Sequence, residues 1–244
     1  MFIEQDYYIG YRSIGKDFLI TNKALMTFLE DTGGIHSSLA GTGVLQIEKT
    51  HLSWVALHWI LHVYNRPRYG DTIRVKTWSV DRSGAKDELL YADRDFEVYD
   101  KNNNVIARAT SRWAMVNSET LKITKLFPEI MNPYKAEKQR TWNNIEFPKL
   151  KEPDRVDSIS TYTIDKRLID FNNHVHNTDY LDLVDFAVPD NVDSQLLNNV
   201  EIMYRKQIKL ADNVKLKYSN INNEHIISIT SEDDKILHSV IQLS

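Results

Sequence analysis

Between residues 168 and 180 the chain reads "LIDFNNHVHNTDY", and Asp170, Asn172, Asn173, His174, His176, Asn177 and Asp179 crowd around Phe171 and Val175, which read as core or strand residues. Carboxylates, carboxamides and imidazoles so close together can hold a water, take a proton from it and donate to a developing oxyanion. The ordinary reading of such a cluster ahead of a helix is turn and capping chemistry. If residues 170–174 are extended, a period of two puts Asp170, Asn172 and His174 on one side. Asp170 then accepts from the Asn172 amide or the His174 ring and orients it. Asn172 donates and accepts, which suits holding a water or a carbonyl. His174 is the base, since imidazole titrates close to neutral pH. The amides opening the next helix, from His176 to Asp179, are the expected oxyanion donors.

The elements that must position this cluster occur twice. "YYIGYRSIGKDFLITNKALMTFLED" (7–31) aligns with "YTIDKRLIDFNNHVHNTDYLDLVDF" (162–186) at a constant shift of 155. The shift pairs Tyr7 with Tyr162, Ile9 with Ile164, Arg12 with Arg167, Ile14 with Ile169 and Asn22 with Asn177. Both copies then turn helical. Leu25, Phe28, Leu29 and Thr32 make the stripe of the first, Tyr180, Leu181, Val184 and Val188 that of the second, which Pro189 ends. Asn22 and Asn177 each stand where a helix N-cap is expected. A second match, "RPRYGDTIRVKTW" (66–78) with "QIKLADNVKLKYS" (207–219), has a shift of 141, and strand-like runs with hairpin signals follow each.

Each half thus reads as strand, helix, then antiparallel strands, an α+β layer architecture duplicated as a covalent pseudo-dimer. The proline-bearing stretch around 127–158 reads as an ordered linker. At the positions of Asp170, Asn172 and His174 the first copy has Gly15, Asp17 and Leu19. Capping groups would be kept in both copies, so the asymmetry argues for one site, in the second half.

Composition bounds the rest. A chain of 244 residues, 42% apolar and 26% charged, suits a globular protein, and a net charge of −4 gives no electrostatic case for nucleic acid. The lack of cysteine removes disulfides, thiolate metal sites and a Cys nucleophile, and fits a cytoplasmic location. The N-terminus does not read as a signal peptide, and "WVALHWILHVY" (54–64) is too short to span a bilayer, so no membrane association is expected. His58 and His62 in that run have the spacing of a helical metal pair, but the run reads as strand. Trp54, Trp59, Trp78 and Trp113 read as core.

Taken together, "YRSIGKDFLITNKALMTFLED", "RPRYGDTIRVKTW", "ATSRWAMVNSETLKITKLF", "DFNNHVHNTDYLD" and "YRKQIKLAD" resemble the acyl-(acyl carrier protein) thioesterases of bacteria and plants. The resemblance implies tandem hot-dog domains, here 1–134 (acyl chain binding) and 156–244 (catalytic motif) joined by a linker at 135–155. It implies no metal and no cofactor. Asp170, Asn172, His174, Val175, Asn177 and Tyr180 match the family's site motif, while His176 replaces an Asn. Tyr204 and Arg205 match the pair before the family's Glu, but Gln207 stands at that Glu and Ile208 at the Cys of plant members. An amide cannot accept a proton as a carboxylate does, so Gln207 is expected to orient the water.

The implied activity is hydrolysis of fatty acyl thioesters on acyl carrier protein. Two alternatives stand beside it, an acyl-coenzyme A thioesterase and a non-catalytic acyl-binding protein with a disabled site. Some of the tryptophans are expected along the acyl tunnel, and basic residues in "NRPRYGD" and "KAEKQR" are candidates to meet the acidic carrier. Either a monomeric pseudo-dimer or a homodimer is compatible with the duplication.

Overall fold

A computed structural model describes the whole chain, residues 1–244. The first half contributes β1 (Ile3–Tyr8), β2 (Leu52–Val63), β3 (Thr72–Ser79), β4 (Ala92–Tyr99) and β5 (Val105–Asn117). The second contributes β6 (Ser158–Thr163), β7 (Asn199–Tyr204), β8 (Asn213–Ile221), β9 (Glu224–Ser231) and β10 (Leu237–Leu243). All ten form one antiparallel sheet in the order β1-β3-β4-β5-β2-β7-β10-β9-β8-β6. Each half repeats the same strand order about the central β2–β7 pair, where His58 faces Met203 and His62 faces Asn199. This is the expected tandem double hot-dog.

Alternation along β2 shows how the sheet divides its faces. Trp59, Leu61 and Val63 point into the core under the helices, and His58, Ile60 and His62 point the other way. The run is therefore strand, as expected. His58 Nε2 lies 2.7 Å from Glu201 Oε1, and the His62 ring lies against Trp142. The segment between Tyr134 and Ser158 crosses this outer face without strand or helix. Arg140 pairs with Asp93 and Asp95, Phe147 lies on His58 and Arg112, and Leu150 joins Met203, Ile226 and Val240 in a small apolar cluster.

The helices differ in length. The first, α1 (Asn22–Leu39), buries Leu25, Met26, Leu29, Thr32, Gly33 and His36 at helical spacing. Gly33 lets α1 approach the sheet closely, since a Cβ there would stand 3.3 Å from Cδ of the buried Arg94. The second, α2 (Tyr180–Ala187), has only eight residues and follows a 3₁₀ turn at Asn177–Asp179. No helix is long and apolar enough to cross a membrane.

The two expected caps are not caps. Thr21 caps α1, its hydroxyl accepting from the Ala24 amide at 3.2 Å. Asn22, fully buried, reaches across to the other half and donates to the carbonyls of Ser194 (3.1 Å) and Leu197 (2.9 Å). Arg66 completes this junction by donating to Asn22 Oδ1 (2.8 Å), Leu197 O (2.6 Å) and Ile20 O (3.0 Å). Arg66 and Arg140 therefore serve internal bonds rather than a docking face. Burial lowers the Arg66 guanidinium to about 10, partly offset by Asp193, so it stays charged at neutral pH.

Arg66→Ala removes the donor to Ile20 O and Asn22 Oδ1 and one of the two donors to Leu197 O at the junction between the halves. It is expected to lower unfolding free energy by about 2 to 4 kcal/mol, read as a shifted midpoint in urea denaturation.

Candidate active site

The cluster sits on a tight turn, not on an extended strand. Ile169 bridges Val175, the Asp170 amide donates to His174 O (3.0 Å) and the Asn173 amide to Asp170 O (3.1 Å). Asn173 takes the left-handed conformation at φ 61°, which Asn tolerates better than most residues. Asp170 Oδ1 accepts from the Asn172 backbone amide at 2.8 Å, closing an Asx turn. Asp170, Asn172 and His174 thus share a site by reversal of the chain, where an alternating strand was expected. Val175 is buried, but Phe171 is exposed at the rim.

The first half repeats this backbone bond for bond. Gly15 N donates to Leu19 O, Phe18 N donates to Gly15 O, Ile14 bridges Ile20 and Phe18 has φ 58°. The bridge from His174 to Lys209 has its counterpart in Leu19 with Arg68. One conformation therefore carries two sets of side chains.

Asp170, Asn172, His174 and Gln207 all line a cavity of about 590 Å³. The other half forms much of its wall, with Glu30, Gly33 and Ser37 of α1 and with Trp54, Phe96 and Trp113. Trp59 and Trp78 are core, whereas Trp54 and Trp113 line the cavity. His174 is half-buried; its Nδ1 lies 3.2 Å from Val175 O and 3.8 Å from Asp170 Oδ1. A carbonyl can only accept, which assigns the proton to Nδ1 and leaves Nε2 as the acceptor of the neutral ring.

Two functional groups were missed by the sequence reading. His176 is held between Asp170 Oδ2 (3.5 Å) and Glu30 Oε2 (3.1 Å). The close carboxylates of Asp170 and then of Glu30 push its ring up to about 10, so it is an imidazolium at neutral pH and no base. Burial would raise the Asp170 carboxyl, but the His176 bond, the neighbouring His174 ring and the Asn172 amide leave it below its ordinary value. Glu30 Oε1 accepts from Asn177 Nδ2 at 2.8 Å, and the Tyr204 hydroxyl donates to Asn177 O at 2.8 Å. Asn177, like Asn22, is a tie between halves. The signal for Glu30 was its repeat partner Asp185, an acid at the same place on the other helix.

The same shifts locate a twin of the site at Asn22, Arg66 and Asp185, the counterparts of Asn177, Gln207 and Glu30. There the Arg66 guanidinium joins Asn22, while Asp185 accepts from Ser194 and from Gln195 Nε2 (2.9 Å). Gln195 Oε1 accepts from the Lys23 amide at 3.0 Å. The twin is closed by its own side chains.

Comparison with known proteins gives a consistent result. The family description "Acyl-ACP thioesterase N-terminal domain" matches residues 2–134, and "Acyl-ACP thioesterase C-terminal domain" matches residues 151–242. The chain is 24% identical to oleoyl-acyl carrier protein thioesterase 1, chloroplastic, of Arabidopsis thaliana, over 86% of this chain and 61% of that protein. It is 28% identical to palmitoyl-acyl carrier protein thioesterase, chloroplastic, of Cuphea hookeriana, over 83% and 51%. It thus spans about half to two thirds of the length of these relatives. Two solved structures share its fold at 20% identity. The 12:0-ACP thioesterase from Umbellularia californica superposes with a TM-score of 0.86, covering 100% of this chain and 96% of that one. An acyl-ACP thioesterase from Bacteroides thetaiotaomicron gives 0.80, covering 99% and 96%.

The His176 clamp implies a pH-dependent stability. Below about 6.5 the ring is charged in folded and unfolded chains alike, and the contribution is complete. As pH rises toward about 10 the unfolded chain loses the proton while the folded one keeps it, and the contribution disappears. Thermal melts across this window are expected to show a steeper alkaline fall in Tm for the parent protein than for His176→Asn.

Proposed function

The chain belongs to the acyl-ACP thioesterase family, and on that premise we propose that it hydrolyses fatty acyl thioesters on acyl carrier protein, releasing the free fatty acid. One observation carries the reading. Two turns share a backbone, and the one that bears Asp170, Asn172 and His174 lines a cavity large enough for an acyl chain, while beside its twin Arg66 bonds Asn22 and the carbonyls of Ile20 and Leu197.

In this reading the acyl chain lies along Trp54, Phe96 and Trp113, with the thioester carbonyl against the 170–174 turn. His174 Nε2 takes a proton from a water as its oxygen attacks the carbonyl carbon. Asp170 steadies the turn and the ring, Asn172 holds the carbonyl or the water, and the Gln207 amide orients the water. Of the expected oxyanion donors, the His176 amide already serves Leu168 O and the Asp179 amide His176 O. The amides of Asn177 and Thr178 remain. In the twin the counterpart of Thr178, the Lys23 amide, bonds the carboxamide oxygen of Gln195, a carbonyl-type acceptor in the position proposed for the substrate. Collapse of the tetrahedral intermediate breaks the C–S bond, and His174 returns its proton to the thiolate. The products are the fatty acid and the carrier thiol.

The second reading, an acyl-binding protein without turnover, draws on Gln207, which cannot serve as the family's Glu does. Release of free thiol from acyl carrier proteins of graded chain length, beside matched acyl-coenzyme A, separates the readings. Turnover supports hydrolysis, the better substrate identifies the carrier, and tight binding without thiol release supports the second reading. His174→Ala is expected to lower kcat/KM by about 10² to 10⁴, and a loss under tenfold removes His174 as base. Gln207→Glu is expected to keep or raise activity; abolition would mean that the amide donates an essential hydrogen bond.

A further inference from the structure

The second half has lost a carboxylate at Gln207, and the cavity holds another that comes from the first half. We infer that Glu30 is a positioning residue for the reaction proposed above: from α1 it holds His176 and Asn177, and through His176 it holds Asp170, in the geometry that His174 needs. The inference rests on the hydrolase reading and concerns a residue outside the motif that defines the site.

Three observations carry it. Glu30 spans the boundary between halves, with Oε1 on Asn177 Nδ2 at 2.8 Å and Oε2 beside His176 Nε2 at 3.1 Å. His176 passes the link to Asp170 Oδ2 at 3.5 Å, and the other oxygen of that carboxylate takes the Asn172 amide and lies 3.8 Å from the His174 ring. An unbroken chain of charged contacts thus runs from the first helix to the base.

The second observation is burial. Glu30 Oε2 is buried, and although the imidazolium is close, no donor reaches it in hydrogen-bond alignment. A buried carboxylate is costly unless an opposite charge holds it, and His176 is that charge.

The third is the twin. There Asp185, at the matching helix position, is satisfied by Ser194 and Gln195, and Asn22 donates to carbonyls instead of to the acid. The helix acid grips the opposing turn only where the turn carries the catalytic cluster.

The groups facing His176 account for its ionisation. Asp170 belongs to its own turn and Asp179 to the following 3₁₀ turn, where Lys23 of α1 pairs with it at 2.8 Å. Glu30 and Asp31 face it from α1. The Tyr204 hydroxyl approaches from β7 beside Glu30, and His174 lies across Asp170. Removing the Glu30 charge takes away one of the two carboxylates in direct contact and lets His176 titrate closer to neutrality.

The test measures kcat, KM and the pH profile of thiol release from an acyl-carrier-protein substrate for the full chain, Glu30→Gln, Glu30→Asp, and Glu30→Gln combined with Gln207→Glu. Glu30→Gln is expected to lower kcat at least tenfold with KM within about threefold, and to show a falling alkaline limb between about pH 7 and 9 where the parent is level. Glu30→Asp or added Gln207→Glu is expected to recover at least threefold of the lost kcat. A Glu30→Gln protein within twofold of the parent, or one that loses activity equally at every pH with no recovery, overturns the inference. A double-mutant cycle guards against a misfolded single variant. In a His176→Asn background the Glu30 change is expected to cost less than threefold, and a full independent loss there also overturns the inference. A parent protein that releases no thiol from any acyl thioester overturns the hydrolase reading instead.

Discussion

Antiparallel pairing of β2 with β7, from His58 opposite Met203 to His62 opposite Asn199, is the constraint on which the site depends. It joins two five-stranded halves into one sheet and brings each helix beside the turn of the other half. Neither half holds the site alone. The second supplies the polar turn, while the first supplies Glu30, the tryptophans and most of the apolar wall. Ties across the boundary maintain this arrangement, with Asn22 on Ser194 and Leu197 at one end and Asn177 on Glu30 at the other. A change in the β2–β7 register would carry Glu30 away from His176 and Asn177 and leave its carboxylate without either partner.

The halves share a backbone and differ in how they balance charge. In the twin a single guanidinium, lowered by burial to about 10, is held by the oxygens of Ile20, Asn22 and Leu197, with Asp193 partly offsetting the burial. At the 170–176 turn two carboxylates share one imidazolium, raised to about 10, beside the cavity. Desolvation governs both cases, since a charge withdrawn from water must find compensating dipoles or an opposite charge. Arg66 uses dipoles and closes its site. His176 uses opposite charge and steadies a turn whose remaining groups face the cavity.

The repeat shifts of 155 and 141 made the pseudo-dimer legible, because they act on strand and helix periodicity that any fold with one buried face must keep. They extend to the hydrogen bonds of the two turns, from Gly15–Leu19 to Asp170–His174. The asymmetry of the polar cluster was equally plain, and its members do share a cavity. The local geometry was not legible. Alternation suggested an extended 170–174, but Asp170 accepts from the Asn172 amide and Asn173 adopts a left-handed conformation, so the chain reverses. Position relative to the helix suggested that Asn22 and Asn177 were caps, and both instead bond across the boundary. The basic residues Arg66 and Arg140 looked like surface charge, and their half-buried side chains bond within the chain.

What the sequence determined by itself is the pattern that repeats: two α+β halves, the succession of strand, helix and strands in each, and a polar cluster kept in one copy. Those features follow from periodic burial along the chain and from comparison of one copy with the other. Only the tertiary structure decided which charges meet. Glu30 and His176 stand 146 positions apart in sequence, and their side chains come within 3.1 Å because the sheet sets one half's helix against the other half's turn. Ion pairing depends on distance and burial in space, and neither is encoded in the residue types alone.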